Sequence, residues 1–363
     1  MNILVVCRPL VFHGGVERAT AGFLGALVEH GDTVDLLSPG RDPHLPGVTH
    51  RRLRLPPSPP PLRPLVLALA VRLACARSRW DVVQTHERVP GAGVYRAGEG
   101  CHRAWLAVRS RRGRGLYNTV VLALERRVLA TTPRIVAIAR TGKAEIERLY
   151  AVPSARVHVV YNGVDLDRFH PDARAKVHAA ARAEARIPGD AWALLFVGSG
   201  FERKGLATAI DAFARLPRAM HLMVIGKGDV GAYRAQASTL GVERRVAWLG
   251  PRPDVERWYA AADVVVLPTT YEPFGNVHLE ALAAGVPIVT TTRAGGAEIV
   301  TDECGAVVAP ADPLALADAV ERLRARAPAA MRAVCRAAAE PFTYATQVAG
   351  FHAVYRGARG DFP

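Results

Sequence analysis

Residues 268–285 read Pro268-Thr-Thr-Tyr-Glu272-Pro-Phe-Gly275-Asn276-Val-His-Leu-Glu280-Ala-Leu-Ala-Ala-Gly285, and their reading decides the fold. The preceding Asp263-Val-Val-Val-Leu267 is an apolar run of strand length. Pro268 and the Pro273-Phe-Gly275 turn break it, and Asn276 opens a helix-forming run that ends at Gly285. A strand, a glycine-containing loop and a helix start, in that order, place backbone N–H groups where an anion can sit. Glu272 lies in the loop and Glu280 about one turn into the helix, so both carboxylates can point to the same end of the element. Carboxylates accept hydrogen bonds from sugar hydroxyls, and a helix start favours phosphate. A nucleotide sugar offers both. Ordinary core packing with two solvated glutamates is the alternative that the local pattern leaves open.

The spacing narrows the choice. The stretch Glu272-Pro-Phe-Gly-x-x-x-x-Glu280-Ala-x-Ala-x-Gly-x-Pro resembles the signature of the retaining glycosyltransferases of family 4. The following Val286-Pro-Ile-Val-Thr290 fits a strand, and Ala294-Gly-Gly-Ala-Glu298 fits the next loop. The resemblance implies an α/β GT-B fold, in which two Rossmann-like domains face each other across a cleft and a C-terminal helix crosses back. On that pattern residues 1–163 form an acceptor-binding domain, 164–342 a nucleotide-sugar-binding domain, and 343–363 the returning helix. It further implies a sugar donor on a nucleoside diphosphate and a reaction without a metal or other cofactor.

The same resemblance assigns candidate residues elsewhere. Arg203-Lys204-Gly205 follows the strand-like Trp192-Ala-Leu-Leu-Phe-Val-Gly198, with a helix expected from Ala207. Two adjacent cations at a strand-to-helix turn can neutralise charge on a departing diphosphate, arginine as a fork and lysine as a point charge. In the family this triplet binds pyrophosphate, together with backbone N–H groups at positions matching Gly275, Asn276 and Val277. Glu280 would hold the ribose and Glu272 the donor sugar. The loop Pro251-Arg252-Pro-Asp254 would touch the nucleobase through its backbone. Gly14-Gly15, between the first strand (Asn2 to Cys7) and the first helix, matches the family's glycine-rich N-terminal loop. The pattern Tyr95-x-Ala-x-Glu99-x-Cys101 resembles that of lipopolysaccharide core glucosyltransferases, with Glu99 where they carry aspartate. It makes Glu99 the first choice and His102 the second for a contact with the donor sugar. Asp165-Leu-Asp167 has a metal-binding spacing, but it lies inside Asn162-Gly-Val-Asp165-x-x-x-Phe169, which resembles the family's interdomain crossing, so no metal is expected there.

The totals set the wider frame. The chain has 363 residues, 50% hydrophobic and 22% charged, which suits two globular domains. Its formal charge of +14 points to polyanionic partners such as anionic lipid or a phosphorylated glycolipid. The cluster Arg109-Ser-Arg-Arg-Gly-Arg114, beside Trp105 and Tyr117, suits an anionic acceptor or membrane surface; no RNA-binding motif accompanies it, and nucleic acid is not an expected partner. The segment Arg51 to Pro64 is basic and proline-rich; it suits either a membrane-facing loop or an extended, stiff connector, and the connector is the first choice. Five scattered cysteines without a CxxC fit a reducing compartment rather than a disulfide framework. With a strand read from residue 2, no signal peptide is expected. No apolar run approaches the roughly 20 residues of a spanning helix. The expected place is the cytoplasm, peripheral to the membrane.

Overall fold

The computed structural model describes residues 1–10, 15–75, 80–109, 115–326 and 328–357. They fold into two compact units, Met1–Gly163 with the chain from Tyr344 onward, and Val164–Thr343.

The first unit is built on seven strands, β1 (Asn2–Val6), β2 (Thr33–Ser38), β3 (Val48–Arg52), β4 (Val82–Thr85), β5 (Val94–Arg96), β6 (Arg134–Ala137) and β7 (Val157–Val159), in the spatial order 3-2-1-4-5-6-7. All pairings are parallel. A parallel sheet is covered on both faces, so its central strands read as continuous apolar runs. Ile3 and Val5 pack on one side with Phe23, Leu24 and Leu27. Leu4 and Val6 pack on the other with Val71, Val83, Val120 and Leu124, as the two-residue period of a strand requires. The helix Tyr344–Arg356 follows the second unit in sequence but packs on the first. Its Phe351 ring lies 4.7 Å from that of Phe23. His352 Nε2 is 2.7 Å from Asp32 Oδ2, and Asp32 Oδ1 accepts from the Met1 ammonium at 2.7 Å.

One sequence expectation is corrected here. Arg51 and Arg52 do not open a connector; they end the edge strand β3. Arg51 Nε donates to Asp35 Oδ2 on β2 at 2.7 Å. An edge strand needs a partner on one side only, so a polar, basic sequence can form it. Residues 53–59, with Pro56, Pro57 and Pro59, run without helix or strand; Pro60 and Pro61 fall in a short turn, Pro60–Leu62, and the helix Arg63–Cys75 follows.

The second unit has six parallel strands, β8 (Trp192–Val197), β9 (Met220–Ile225), β10 (Val246–Gly250), β11 (Val264–Leu267), β12 (Ile288–Thr291) and β13 (Gly305–Val308), in the order 10-9-8-11-12-13. β8 and β11 pair through Val264↔Leu194 and Val265↔Leu195. In each sheet the strand order reverses once, beside β1 and β4 in the first and beside β8 and β11 in the second. Open parallel sheets bind ligands outside the carboxyl ends of the strands at such a reversal. The segments leaving those ends are Cys7-Arg8 and His86-Glu87 in the first unit, and Gly198–Lys204 and Pro268–Glu272 in the second.

All five cysteines are buried, and none forms a disulfide. Among the described residues no helix is long and apolar enough to cross a membrane.

The segment after β8 is held by a close backbone approach. Gly205 has φ +78°, and a Cβ there would lie 1.9 Å from the carbonyl oxygen of Pro268. Gly241 has φ +70° with nothing within 4 Å of its Cβ position. Gly241→Ala should therefore destabilise the second unit by about 1–2 kcal/mol, the left-handed backbone cost alone. Gly205→Ala should cost roughly 3 kcal/mol or more, because a collision is added. Urea unfolding of both variants checks this; equal losses would contradict the placement of Gly205 against Pro268.

Candidate active site

The site in the second unit starts from two chain breaks. After β8 the chain makes one helical turn, Phe201–Lys204, bracketed by Gly200 and Gly205, both with positive φ. The next helix starts at Leu206. Arg203 and Lys204 thus end a short helix of their own rather than lie on a single open turn, because the left-handed Gly205 stops it. After β11, Thr269 Oγ1 and Thr270 N both donate to Arg203 O, at 2.8 and 3.0 Å, tying the two segments together.

Glu272 joins them by charge. Arg203 Nη1 donates to Glu272 Oε2 at 2.8 Å and to Tyr271 O at 3.0 Å. Lys204 Nζ donates to the same Oε2. The Glu272 and Lys204 side chains are only 11% and 10% exposed, whereas Arg203 is 35% exposed. Burial alone would raise the Glu272 carboxyl, but Lys204 and Arg203 outweigh it and bring it down to about 2. The sequence assigned the cations to phosphate and Glu272 to a sugar. It gave no sign that the three form one cluster.

The loop carrying Glu272 is fixed from its far side as well. Glu272 N donates to Arg293 O, Gly295 N to Glu272 O and Gly296 N to Phe274 O, at 3.0, 2.8 and 2.8 Å. Gly275 turns with φ +85°. Its carbonyl accepts from His278 N at 3.0 Å and contacts His278 Nδ1 at 2.7 Å. Burial pushes His278 down to about 4, so the imidazole is neutral at physiological pH. A carbonyl only accepts, so the proton sits on Nδ1; Nε2 lies 2.9 Å from Thr290 Oγ1, whose hydroxyl also reaches Leu267 O at 3.2 Å. His278 therefore locks the Gly275 turn from inside. It stood at an unspecified position of the signature, and a lone histidine carries no sequence signal.

The helix after this turn is Val277–Ala283, with Asn276 at its cap. Glu280 does not join the Glu272 cluster; its Oε2 accepts from the buried Tyr259 hydroxyl at 2.7 Å. Arg252 is occupied by its own unit. Its guanidinium lies 5.0 Å from the Trp258 ring, and it pairs with Glu184 Oε1 at 2.7 Å. That leaves only the backbone of this loop for the expected base contact. Asp165 Oδ1 accepts from Asp167 N and Arg168 N at 3.1 and 2.9 Å, so it caps its own turn.

The first unit has a pocket at the ends of β1, β4 and β5, lined by Cys7, Arg8, His86, Glu87, Arg96 and Glu99 among others. Glu99 lies between two arginines. Arg8 Nη2 donates to its Oε1, and Arg88 Nη1 to its Oε2 at 3.0 Å. Partial burial acts to raise the Glu99 carboxyl, but Arg8 and Arg88 bring it below its ordinary value. Arg88 also holds the buried Glu125 at 3.1 Å. Arg96 is buried and donates to Asn162 Oδ1 at 2.7 Å; burial brings it down to about 10, so it stays charged. His102 points elsewhere. Its Nε2 is 3.0 Å from Asn118 Oδ1 and its ring 5.3 Å from that of Trp105; burial lowers its pKa. Gly15 begins the helix Gly15–Glu29. Gly14 and residues 110–114 lie outside the described residues. Arg109 stacks over Trp105 at 4.9 Å.

Comparison with known proteins agrees with this arrangement. Residues 192–326 match the family "Glycosyl transferases group 1", and residues 13–168 match "Glycosyltransferase Family 4". The chain is 31% identical to D-inositol 3-phosphate glycosyltransferase 1 of Catenulispora acidiphila, over 98% of this chain and 95% of that one. It is 36% identical to D-inositol 3-phosphate glycosyltransferase of Xylanimonas cellulosilytica, but spans only 55% of that protein's length, with 58% of its own. It is 33% identical to lipopolysaccharide glucosyltransferase WaaG of Escherichia coli K12, over 46% of each chain. Among solved structures, that of a WaaG superposes with a TM-score of 0.80 at 24% identity, over 97% of this chain and 98% of that one. Anabaena Alr3699/HepE in complex with UDP-glucose superposes with a TM-score of 0.75 at 19% identity, over 98% of each. Two parallel-sheet α/β units with these neighbours define the GT-B fold. The chain belongs to the family 4, group 1 glycosyltransferases.

The Glu272 ion pairs carry a pH signature. The folded pKa is depressed, so their stabilisation is fully present above the unfolded value of about 4.3 and is lost as pH falls toward about 2. Glu272→Gln should destabilise the second unit by about 3 kcal/mol at neutral pH. The gap from wild type should shrink as urea unfolding is repeated below about pH 4. A gap independent of pH would contradict the buried ion pairs.

Proposed function

We propose that the protein transfers a hexose, glucose as first choice, from a UDP-sugar to a hydroxyl of a lipid-linked anionic glycan such as a lipopolysaccharide core, with retention at the anomeric carbon. One observation carries the reading: two cations at the strand reversal converge on a single buried carboxylate, leaving one net positive charge beside a helix start. A departing nucleoside diphosphate supplies the matching charge. Relatives point the same way, since HepE was solved with UDP-glucose and WaaG is named for lipopolysaccharide.

In this reading the bond between the anomeric carbon and the diphosphate oxygen breaks as positive charge builds on the sugar ring. Arg203 and Lys204 stabilise the negative charge on the leaving phosphate, assisted by backbone N–H groups at Gly275, Asn276 and Val277. Glu272 both fixes the two cations and accepts from hydroxyls of the donor sugar. Glu280, oriented by Tyr259, holds the ribose. The loop with Arg252 contacts the base through its backbone, and the Gly14-Gly15 loop of the first unit contributes to donor binding. On the first unit, Glu99, which lines the pocket there, is the sugar contact. The leaving phosphate oxygen accepts the acceptor's proton, so the reaction requires neither a metal nor a separate base. The basic stretch from Arg109 to Arg114 contacts the anionic acceptor or membrane.

A second acceptor, a phosphorylated cyclitol, is favoured by the nearly full-length likeness to the Catenulispora protein. Both acceptors are anionic polyols, which suits the charge of +14.

The test is hydrolysis of a panel of UDP- and GDP-sugars, followed by transfer to extracted lipopolysaccharide core or inositol phosphate. Arg203→Ala should lower turnover about 100-fold, while Glu280→Gln should raise KM about tenfold with turnover nearly kept. Turnover of a GDP-sugar alone would overturn the donor. Equal effects of the two substitutions on both quantities would overturn the division of roles.

A further inference from the structure

His30, Asp32 and His352 meet at the end of the first sheet opposite its pocket and have no part in either site. The helix Gly15–Glu29 closes in a turn where His30 N donates to Ala26 O at 3.0 Å, Gly31 N to Val28 O at 2.9 Å and Asp32 N to Leu27 O at 3.0 Å. Gly31, with φ +94°, stops the helix, and β2 begins at Thr33. The backbone that carries His30 and Asp32 is thus held by its own hydrogen bonds. His352 comes from the returning helix, where Phe351 and Tyr355 beside it are fully buried in the core. Each of the three side chains is therefore positioned by its own element before it meets the others.

Their donor atoms surround one point. His30 Nδ1 lies 3.2 Å and His352 Nε2 2.7 Å from Asp32 Oδ2, and all three atoms are within 4.8 Å of one another. Bonds of about 2.0–2.1 Å to a tetrahedral zinc ion hold neighbouring donors roughly 3.4 Å apart, so small adjustments admit the ion. Asp32 Oδ1 accepts from the Met1 ammonium at 2.7 Å, which leaves Oδ2 as the oxygen for the cation. The Asp32 and His352 side chains are 2% and 11% exposed, and that of His30 is 52% exposed, which gives an ion a way in. A simple ion pair explains less. One protonated histidine would be enough for Asp32, yet a second imidazole, its centroid 4.2 Å from the first, is turned onto the same oxygen. Two imidazolium charges that close would repel each other. A divalent cation uses both rings in their neutral form. Two imidazoles with one carboxylate suit zinc, whereas magnesium and calcium prefer oxygen ligands.

We propose that His30, Asp32 and His352 form a zinc site that fastens the returning helix to the first unit. His30 contributes Nδ1, Asp32 Oδ2 and His352 Nε2, and solvent takes the fourth position on the open side of His30. The ion is structural. Its ligands lie at the amino end of β2, whereas the pocket of Arg8 and Glu99 lies at the carboxyl ends of the strands, so it takes no part in the proposed transfer.

Calorimetric titration of the untagged full chain, freed of metal by a chelator, with Zn²⁺ tests it. Wild type should take up one tightly held equivalent, and Mg²⁺ should give none. Zinc should also move the urea midpoint upward, since it binds the folded state. Loss of a group that merely orients a metal ligand costs about 10–100-fold in affinity, so loss of a ligand should cost at least about tenfold. His30→Gln, at an exposed position, should fold as wild type does, bind zinc at least about tenfold more weakly and lose most of the zinc-induced shift in urea. His352→Gln should lose the same shift. Cobalt in place of zinc should give the visible bands of a tetrahedral site in wild type and not in His30→Gln. Unchanged zinc affinity in His30→Gln overturns the proposal, whatever His352→Gln does to folding, because zinc held by other histidines survives that substitution. Absence of a tight equivalent in wild type overturns it too and reduces the cluster to an ion pair.

Discussion

A buried carboxylate cannot stay ionised without partners, and Glu272 has two cations on one oxygen. That requirement binds the segment after β8 to the segment after β11. Residues 68 apart in sequence meet at hydrogen-bond distance only because the sheet places those strands side by side. The parallel topology thus creates the site, and the ion pairs hold its shape. Removing Glu272 would leave Lys204 buried beside Arg203 with no counter-charge, so the constraint acts in both directions.

The consequence for chemistry lies in the remaining charge. One carboxylate neutralises one of two cations, and the acid in the first turn of the nearby helix, Glu280, is bound by Tyr259 rather than by the cations. The cluster is therefore preorganised and still positive, which a leaving diphosphate needs and a fully neutralised pair could not offer. The neutral His278 supports this by fixing the Gly275 turn without adding a charge. In the first unit the balance differs: Glu87, Glu99 and Glu125 are interleaved with Arg8 and Arg88, giving a polar, nearly balanced pocket. The two units thus differ in charge: the cluster in the second is left positive, and the pocket in the first is nearly balanced.

Much of this was legible in the sequence, for identifiable reasons. Central parallel strands such as Asn2–Val6 and Val264–Leu267 are buried on both faces and read as unbroken apolar runs. Motif spacing points to Arg203, Lys204 and Glu272, but their mutual contact was invisible because no local pattern encodes a pairing across three crossovers. Arg8 and Arg88 gave no signal in a chain with 47 lysines and arginines. Strand β3 was missed because an edge strand lacks the apolar signature, and its basic residues suggested a connector. His278 and Tyr259 were missed because each acts by positioning another group, a role that depends on geometry alone.

The central claim is that Glu272 positions the two cations for phosphate. A double-mutant cycle between Lys204→Ala and Glu272→Gln, read by calorimetry of UDP binding, addresses it most directly. If the claim holds, Lys204→Ala weakens UDP about tenfold or more in the wild-type background and far less once Glu272 is glutamine. Equal losses in both backgrounds would mean that the lysine meets phosphate without help from Glu272, and the account would fail at its centre.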